Sequence, residues 1–149
     1  MGYKFLEHTA DVQAECQAET FTGLLEAAAR ALYSVALNKQ HKFVRKSHEL
    51  FVSGASHEEV VIRWLQELVF LLETDGFVAV RFTWNGSHME APEGALTAVP
   101  HAVLTVHCRA EGYFCDPDDR GEEVKGATYH GLNVEKTEEG FKARIIFDL

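Results

Sequence analysis

Apolar and polar positions change period along the chain, and the changes mark elements. Val12, Ala14, Cys16 and Ala18 alternate with polar residues, the period of a half-buried strand. Thr20 then stands where a helix N-cap is needed, ahead of an apolar stripe of Leu25, Ala28, Leu32 and Val35. That combination predicts a helix running to about Leu37. A strand is expected near Ser47–Ser53. Ser56 and Glu59 have the spacing of a capping box and open a second helix, with Val61, Trp64, Leu65, Leu68 and Leu72 along one face. Gly76 follows Thr74-Asp75 and stops it, because glycine takes the left-handed conformation at no steric cost. The wide aromatic stripe predicts that this second helix is the better buried of the two, with core formation as its task.

Downstream, the period is mostly that of strands. Val78, Val80, Phe82 and Trp84 alternate with Ala79, Arg81 and Thr83, and Ala102–Cys108, Ala127–Val134 and Phe141–Phe147 show related patterns. Asn85–Pro100, rich in glycine, proline and small residues, reads as a hairpin loop, and Asp116–Glu123 as a second, exposed one. Helices early and strands late predict one α+β domain over residues 1–149. Its two helices would pack on one face of a mainly antiparallel or mixed β-sheet, with both termini held in that sheet.

Composition narrows the class. Of 149 residues, 46% are hydrophobic, enough to bury a sizeable core. The longest apolar stretch, within Val60–Leu72, is broken by Arg63, Gln66 and Glu67, whereas a membrane span needs roughly 18 apolar residues. Met1–Phe5 has no charged start leading into an apolar run, so a cytoplasmic protein with no membrane partner is expected. Cys16, Cys108 and Cys115 are an odd, sparse set and read as free thiols. The net charge is -9; basic residues are scattered except for a small cluster at Lys39–Lys46, and acidic ones gather between Glu111 and Glu123. This balance argues against tight direct RNA binding, which needs a basic surface to displace counterions, and favours a basic protein partner.

The sequence has no Gly-rich P-loop, no dinucleotide fingerprint and no G-x-S-x-G elbow. His107-Cys108 with Cys115 lacks the second close pair expected of a zinc site. His8 and His130 are the histidines of most interest, and each also reads as an ordinary hydrogen-bonding residue. Two segments are unusual. Leu6-Glu7-His8-Thr9-Ala10-Asp11 is a polar turn between apolar-patterned segments, in which Asp11 reads equally well as an Asx-turn residue. Arg144-Ile145-Ile146-Phe147-Asp148-Leu149 stays apolar to its end, where chains are usually polar and frayed, so it is expected to be tied into the sheet. Burying Asp148 beside the Leu149 carboxylate would set two like charges together, a conflict that a proton or a cation resolves. Hard divalent cations prefer such oxygen ligands.

These same segments resemble the archease family. Leu6–Asp11 is similar to the opening motif of archeases, and Trp64-Leu65-Gln66-Glu67-Leu68 with Thr74-Asp75-Gly76 to their central helix and its stop. Asp116-Pro117, then Glu123-Val124-Lys125-Gly126-Ala127-Thr128-Tyr129-His130-Gly131-Leu132, resembles their most distinctive stretch, and Ile146-Phe147-Asp148-Leu149 their ending. The chain departs from the family pattern after Asp116-Pro117. Asp118-Asp119-Arg120-Gly121-Glu122 is shorter than usual there and lacks the family's Arg-His pair.

The resemblance implies a protein cofactor of the tRNA-splicing RNA ligase, which joins RNA ends bearing a 2′,3′-cyclic or 3′-phosphate to a 5′-hydroxyl. Such a cofactor promotes guanylylation of the ligase and its repeated turnover, and is not itself an enzyme. It also implies a divalent metal, with calcium first and magnesium or manganese as alternatives, on Asp11, Asp148 and the carboxylate or carbonyl oxygens of Leu149. Lys125 matches a lysine that acts in activating the ligase. Two other readings stand beside this one. One is a metal-dependent phosphoester hydrolase with His8 as general base. The other is a chaperone-like scaffold that binds through its acidic surface.

Overall fold

A computed structural model describes residues 1–6, 11–90 and 103–149 of the chain, with residues 86–90 and 103 described by their backbone alone. In chain order the elements are β1 (Gly2–Leu6), β2 (Val12–Ala18), α1 (Phe21–Ala36), β3 (Lys46–Gly54), α2 (His57–Asp75), β4 (Phe77–Glu90), β5 (Val103–Phe114), β6 (Gly126–Ala127), β7 (Val134–Thr137) and β8 (Gly140–Asp148). A single 3-10 turn at Pro117–Asp119 lies between β5 and β6.

The helix boundaries follow from local chemistry. The Thr20 side chain accepts the Gly23 N–H at 3.0 Å, and the Ser56 hydroxyl accepts the Glu59 N–H at 3.1 Å. Glu59 reaches back to the Ala55 N–H at 3.3 Å, one residue earlier than in the standard box. Gly76 closes α2 in the left-handed conformation, φ 71° and ψ 17°, with its N–H donated to Leu72 at 2.9 Å.

The α+β class holds, but the strands form two antiparallel sheets instead of one. The first has the order β1-β2-β8-β6, with β7 also pairing β8; the second has the order β3-β5-β4. Both chain ends lie in the first sheet. Strand β8 sits in its interior, paired to β2 along one side and to β6 and β7, end to end, along the other. Helix α1 packs against β1, β2 and β8 and also reaches β4; α2 packs against β3, β4 and β5 and also reaches β6. The helices therefore fill the space between the sheets, which explains why burial reverses the expected ranking. Ten of the sixteen residues of α1 are buried, against nine of nineteen in α2. Ala27, Ala28, Ala29 and Ala31 let both sheets and α2 approach α1 closely, so its small residues are buried on more than one side.

Four strands differ from the sequence pattern, β5 among them, which runs on to Phe114 where an end near Cys108 is expected. Strand β4 continues to Glu90, into the segment expected to be loop, because β5 extends along it with two register shifts, at Ala79/Arg81 and Trp84/Ser87. The rest of that expected loop lies outside the described residues. The segment 127–134 is not one strand: pairing stops at Ala127, a turn follows with Gly131 at φ 76°, and β7 begins at Val134. Strand β1 had no alternation to announce it; its pairing with β2 defines it. The first register shift in β4 brings backbones into close contact. A Cβ on Gly112 would lie 1.7 Å from the Val78 carbonyl oxygen, so only glycine fits there.

Candidate functional site

The register of β2 and β8 determines what meets at one end of the first sheet. Their last pair is Val12 with Phe147, and Asp11 and Asp148 each follow by one residue at that same end. Phe147 is fully buried, so strand alternation carries Asp148 to the outer face, where it is exposed; Asp11 is half-buried. On the other side of β8, Gly126 pairs with Asp148, and the Lys125 N–H donates to the Asp148 carbonyl oxygen at 2.8 Å. The Lys125 side chain is exposed at this same sheet end. The Thr128 hydroxyl donates to Asp148 Oδ1 at 2.8 Å, and the Thr128 N–H to the Ile146 carbonyl at 2.8 Å. Asp11, Lys125, Asp148 and Leu149, far apart in sequence, thus share one sheet end. Thr128 joins them, a residue that no pattern in the sequence had marked beyond its place in the stretch around Lys125–Leu132.

Asp148 is exposed, not buried, because the alternation that turns Phe147 inward turns Asp148 outward. Burial therefore supplies no need for a cation. What remains is the donor chemistry, carboxylate and carbonyl oxygens only, which suits calcium, magnesium or manganese. Among the described residues, no group of three or more His, Cys, Asp or Glu gathers as a metal cluster. A metal here would therefore need Leu149 as well as the two aspartates. His8 lies outside the described residues. His130 is exposed, in the turn that the Leu132 N–H closes on Tyr129.

The other candidate residues are occupied elsewhere. His107 accepts from the Asn85 side-chain amide at 2.7 Å, donates to Glu49 at 2.6 Å, and stacks on Phe51 at 4.0 Å between ring centroids. Cys16, Cys108 and Cys115 are unpaired. Burial pushes the Cys16 and Cys108 thiols up to about 12, which leaves them protonated and poor ligands. The acidic loop is not simply solvated. Asp119 Oδ2 lies 3.1 Å from His41 Nε2, and Arg120 pairs with Glu73. Gly121 donates to Ala36 at 2.7 Å and Asn38 to Asp119 at 2.8 Å, fastening the loop to the end of α1. Among the described residues no helix is long and apolar enough to cross a membrane.

Two solved structures share this architecture. The solution structure of Methanobacterium thermoautotrophicum protein 1598 superposes with a TM-score of 0.72 at 20% identity, covering 99% of each chain. The crystal structure of a Thermotoga maritima protein described as an archease, possible chaperone, superposes with a TM-score of 0.59 at 20% identity, covering 98% of this chain and 96% of that one. At those identities they establish the fold. The sequence establishes the family: residues 3–149 match the Archease protein family (MTH1598/TM1083), and the chain belongs to it. Among its relatives, Protein archease of Methanosarcina mazei is 29% identical over 99% of this chain and 95% of its own length. Protein archease of Archaeoglobus fulgidus is 28% identical over the full length of both. Protein archease-like of Drosophila melanogaster is 23% identical over 90% of this chain and 80% of its own length.

Proposed function

We propose that this protein is a non-catalytic, cytoplasmic cofactor of the tRNA-splicing RNA ligase, promoting the guanylylation and repeated turnover of that enzyme. The observation that supports the reading is the β2–β8 register, which ends at Val12 and Phe147 and so brings Asp11 and Asp148 to one sheet end, where the Lys125 amide is bonded to Asp148. Asp11, Asp148 and the backbone oxygens of Leu149 would hold a divalent cation, calcium, magnesium or manganese. A cation bound there supplies positive charge to the phosphates of the ligase's nucleotide. The Thr128 hydroxyl and the pairing with Gly126 hold Asp148 in place, which supports this reading. Lys125 extends from the same sheet end and would contribute a second, mobile positive charge to the ligase site. The net charge of -9 supports a basic protein surface as the partner and argues against tight binding to RNA alone.

The test is a ligation time course with excess RNA ends over ligase, with and without this protein. Wild type should convert a single round into many. Asp11→Ala, Asp148→Ala and Lys125→Ala should fold normally and fail to do so. Calorimetric titration with calcium or manganese should show lost affinity in the two aspartate variants, and a chain extended past Leu149 would report whether the terminal charge takes part. Wild-type turnover in all three variants, or unchanged metal affinity, would refute the assignment. Phosphoester hydrolysis by the protein and metal without ligase would favour the hydrolase reading instead.

A further inference from the structure

We infer that the segment joining α1 to β3 is a weak, salt-sensitive contact for single-stranded RNA. It carries Lys39, Lys42 and Arg45, is followed at once by Lys46 at the start of β3, and has no acidic residue between them, in a chain whose net charge is -9. All four are exposed, and among the described residues none lies within ion-pair distance of a carboxylate. Such a set leaves its charge available to an incoming polyanion.

The second observation is an aromatic ring in their midst. Phe43 is 46% exposed, which is unusual for a phenylalanine in a charged loop, and its ring is not loose. It lies 4.9 Å from the Tyr113 ring and 5.5 Å from the His41 ring, with the Arg45 guanidinium 5.2 Å from its centroid. The segment itself is fixed at several points. The His41 N–H donates to the Tyr113 hydroxyl at 3.0 Å, the Arg45 N–H to Gly112 at 2.7 Å, and the Asn38 side chain to Arg120 at 3.0 Å. A prepositioned ring flanked by unpaired cations is the arrangement that binds unpaired bases, stacking one base while neighbouring phosphates meet the lysines. A duplex would hide its base faces, so the fit is to single strands. The exposed ring beside the cations favours an unpaired base over an acidic protein surface, because the electron-rich ring face stacks bases and repels carboxylates. The neighbouring acidic loop, with Asp116, Asp118, Glu122 and Glu123, keeps the contact weak. This inference does not depend on the ligase reading, because it is tested on the protein alone.

The experiment is fluorescence anisotropy of a short labelled single-stranded RNA titrated with the protein at several salt concentrations. Binding should appear at low salt and fade towards physiological salt. If three to four phosphates are neutralised, the log–log slope should be about -2 to -3. K39Q/K42Q should reduce that slope by about 1.4, at about 0.7 per phosphate contact. Phe43→Ala should weaken binding about tenfold and Phe43→Trp should restore it, which separates stacking from loosening of the loop. K136Q/K142Q, lysines on the other sheet, should bind like wild type. Absence of binding at low salt, or equal loss in K136Q/K142Q, would overturn the inference. So would a polyglutamate competitor that displaces RNA without regard to Phe43, which would identify an acidic protein surface as the partner.

Discussion

The Thr128 hydroxyl donates to Asp148 Oδ1 across 2.8 Å, joining the most distinctive stretch of the sequence to the end of its last strand. The bond fixes the carboxylate orientation from outside the proposed ligand set. Hydrogen-bonded supports of this kind change metal affinity by about 10–100-fold when removed. Thr128→Val should therefore fold as the wild type does and bind calcium or manganese about tenfold more weakly in calorimetry. Unchanged affinity would remove Asp148 from the ligand set.

Trp64 is fully buried and its indole N–H donates to the Leu25 carbonyl at 2.9 Å, tying α2 to α1. Trp64→Phe keeps an aromatic ring but loses that bond and some volume. It should cost about 2–3 kcal/mol in denaturant-induced unfolding. Trp64→Ala should cost about 3–5 kcal/mol.

Gly112→Ala should be among the most damaging single-methyl additions in the protein. The new Cβ would meet the Val78 carbonyl oxygen at 1.7 Å, and that atom belongs to a backbone that cannot rotate away. Relief requires β4 and β5 to part, so a loss of about 3 kcal/mol, or failure to fold, is expected in thermal unfolding.

Stability should also depend on pH through His57, whose ring lies 4.5 Å from Phe21 and 5.6 Å from Phe141. Burial holds its pKa below the ordinary 6.5; Glu58 opposes that shift and Lys136 adds to it. The folded state therefore takes up the proton less readily than the unfolded chain. The contribution is complete above 6.5 and is lost as pH falls below it. Wild type should lose more thermal stability than His57→Gln between about pH 7 and about pH 5. Equal losses would assign the acid sensitivity to other groups.

Features fixed by short-range chemistry were legible in the sequence. Thr20, Ser56 and Gly76 bound their helices where capping and left-handed geometry require, and the Val12–Ala18 alternation became a strand with those limits. Features that depend on distant partners were not. Strand β1 alternates poorly because it lies at a sheet edge, and only pairing with β2 reveals it. The second sheet was hidden because alternation reports a buried face but not which sheet owns it. The candidate site was half legible: Asp11 and Asp148 could be nominated, but their place at one sheet end depended on β2 pairing with β8. Thr128 stayed hidden because a hydroxyl has no periodic signature.

The interior position of β8 also sets a timetable. Strands β1 and β2 are finished by residue 18 and pair with each other, yet β8, the second partner of β2, does not begin until residue 140. At roughly 5–20 residues per second, that interval of about 120 residues lasts roughly 6–24 s of ribosomal synthesis. Throughout it, the inward faces of β2 and α1 have no sheet to complete them, whereas β3, α2, β4 and β5 adjoin in sequence and can close sooner. The second sheet can close once its central strand β5 ends at residue 114, while the first stays open and sticky until β8 follows. A stalled or truncated product lacking its last nine residues would be a target for holdases and proteases.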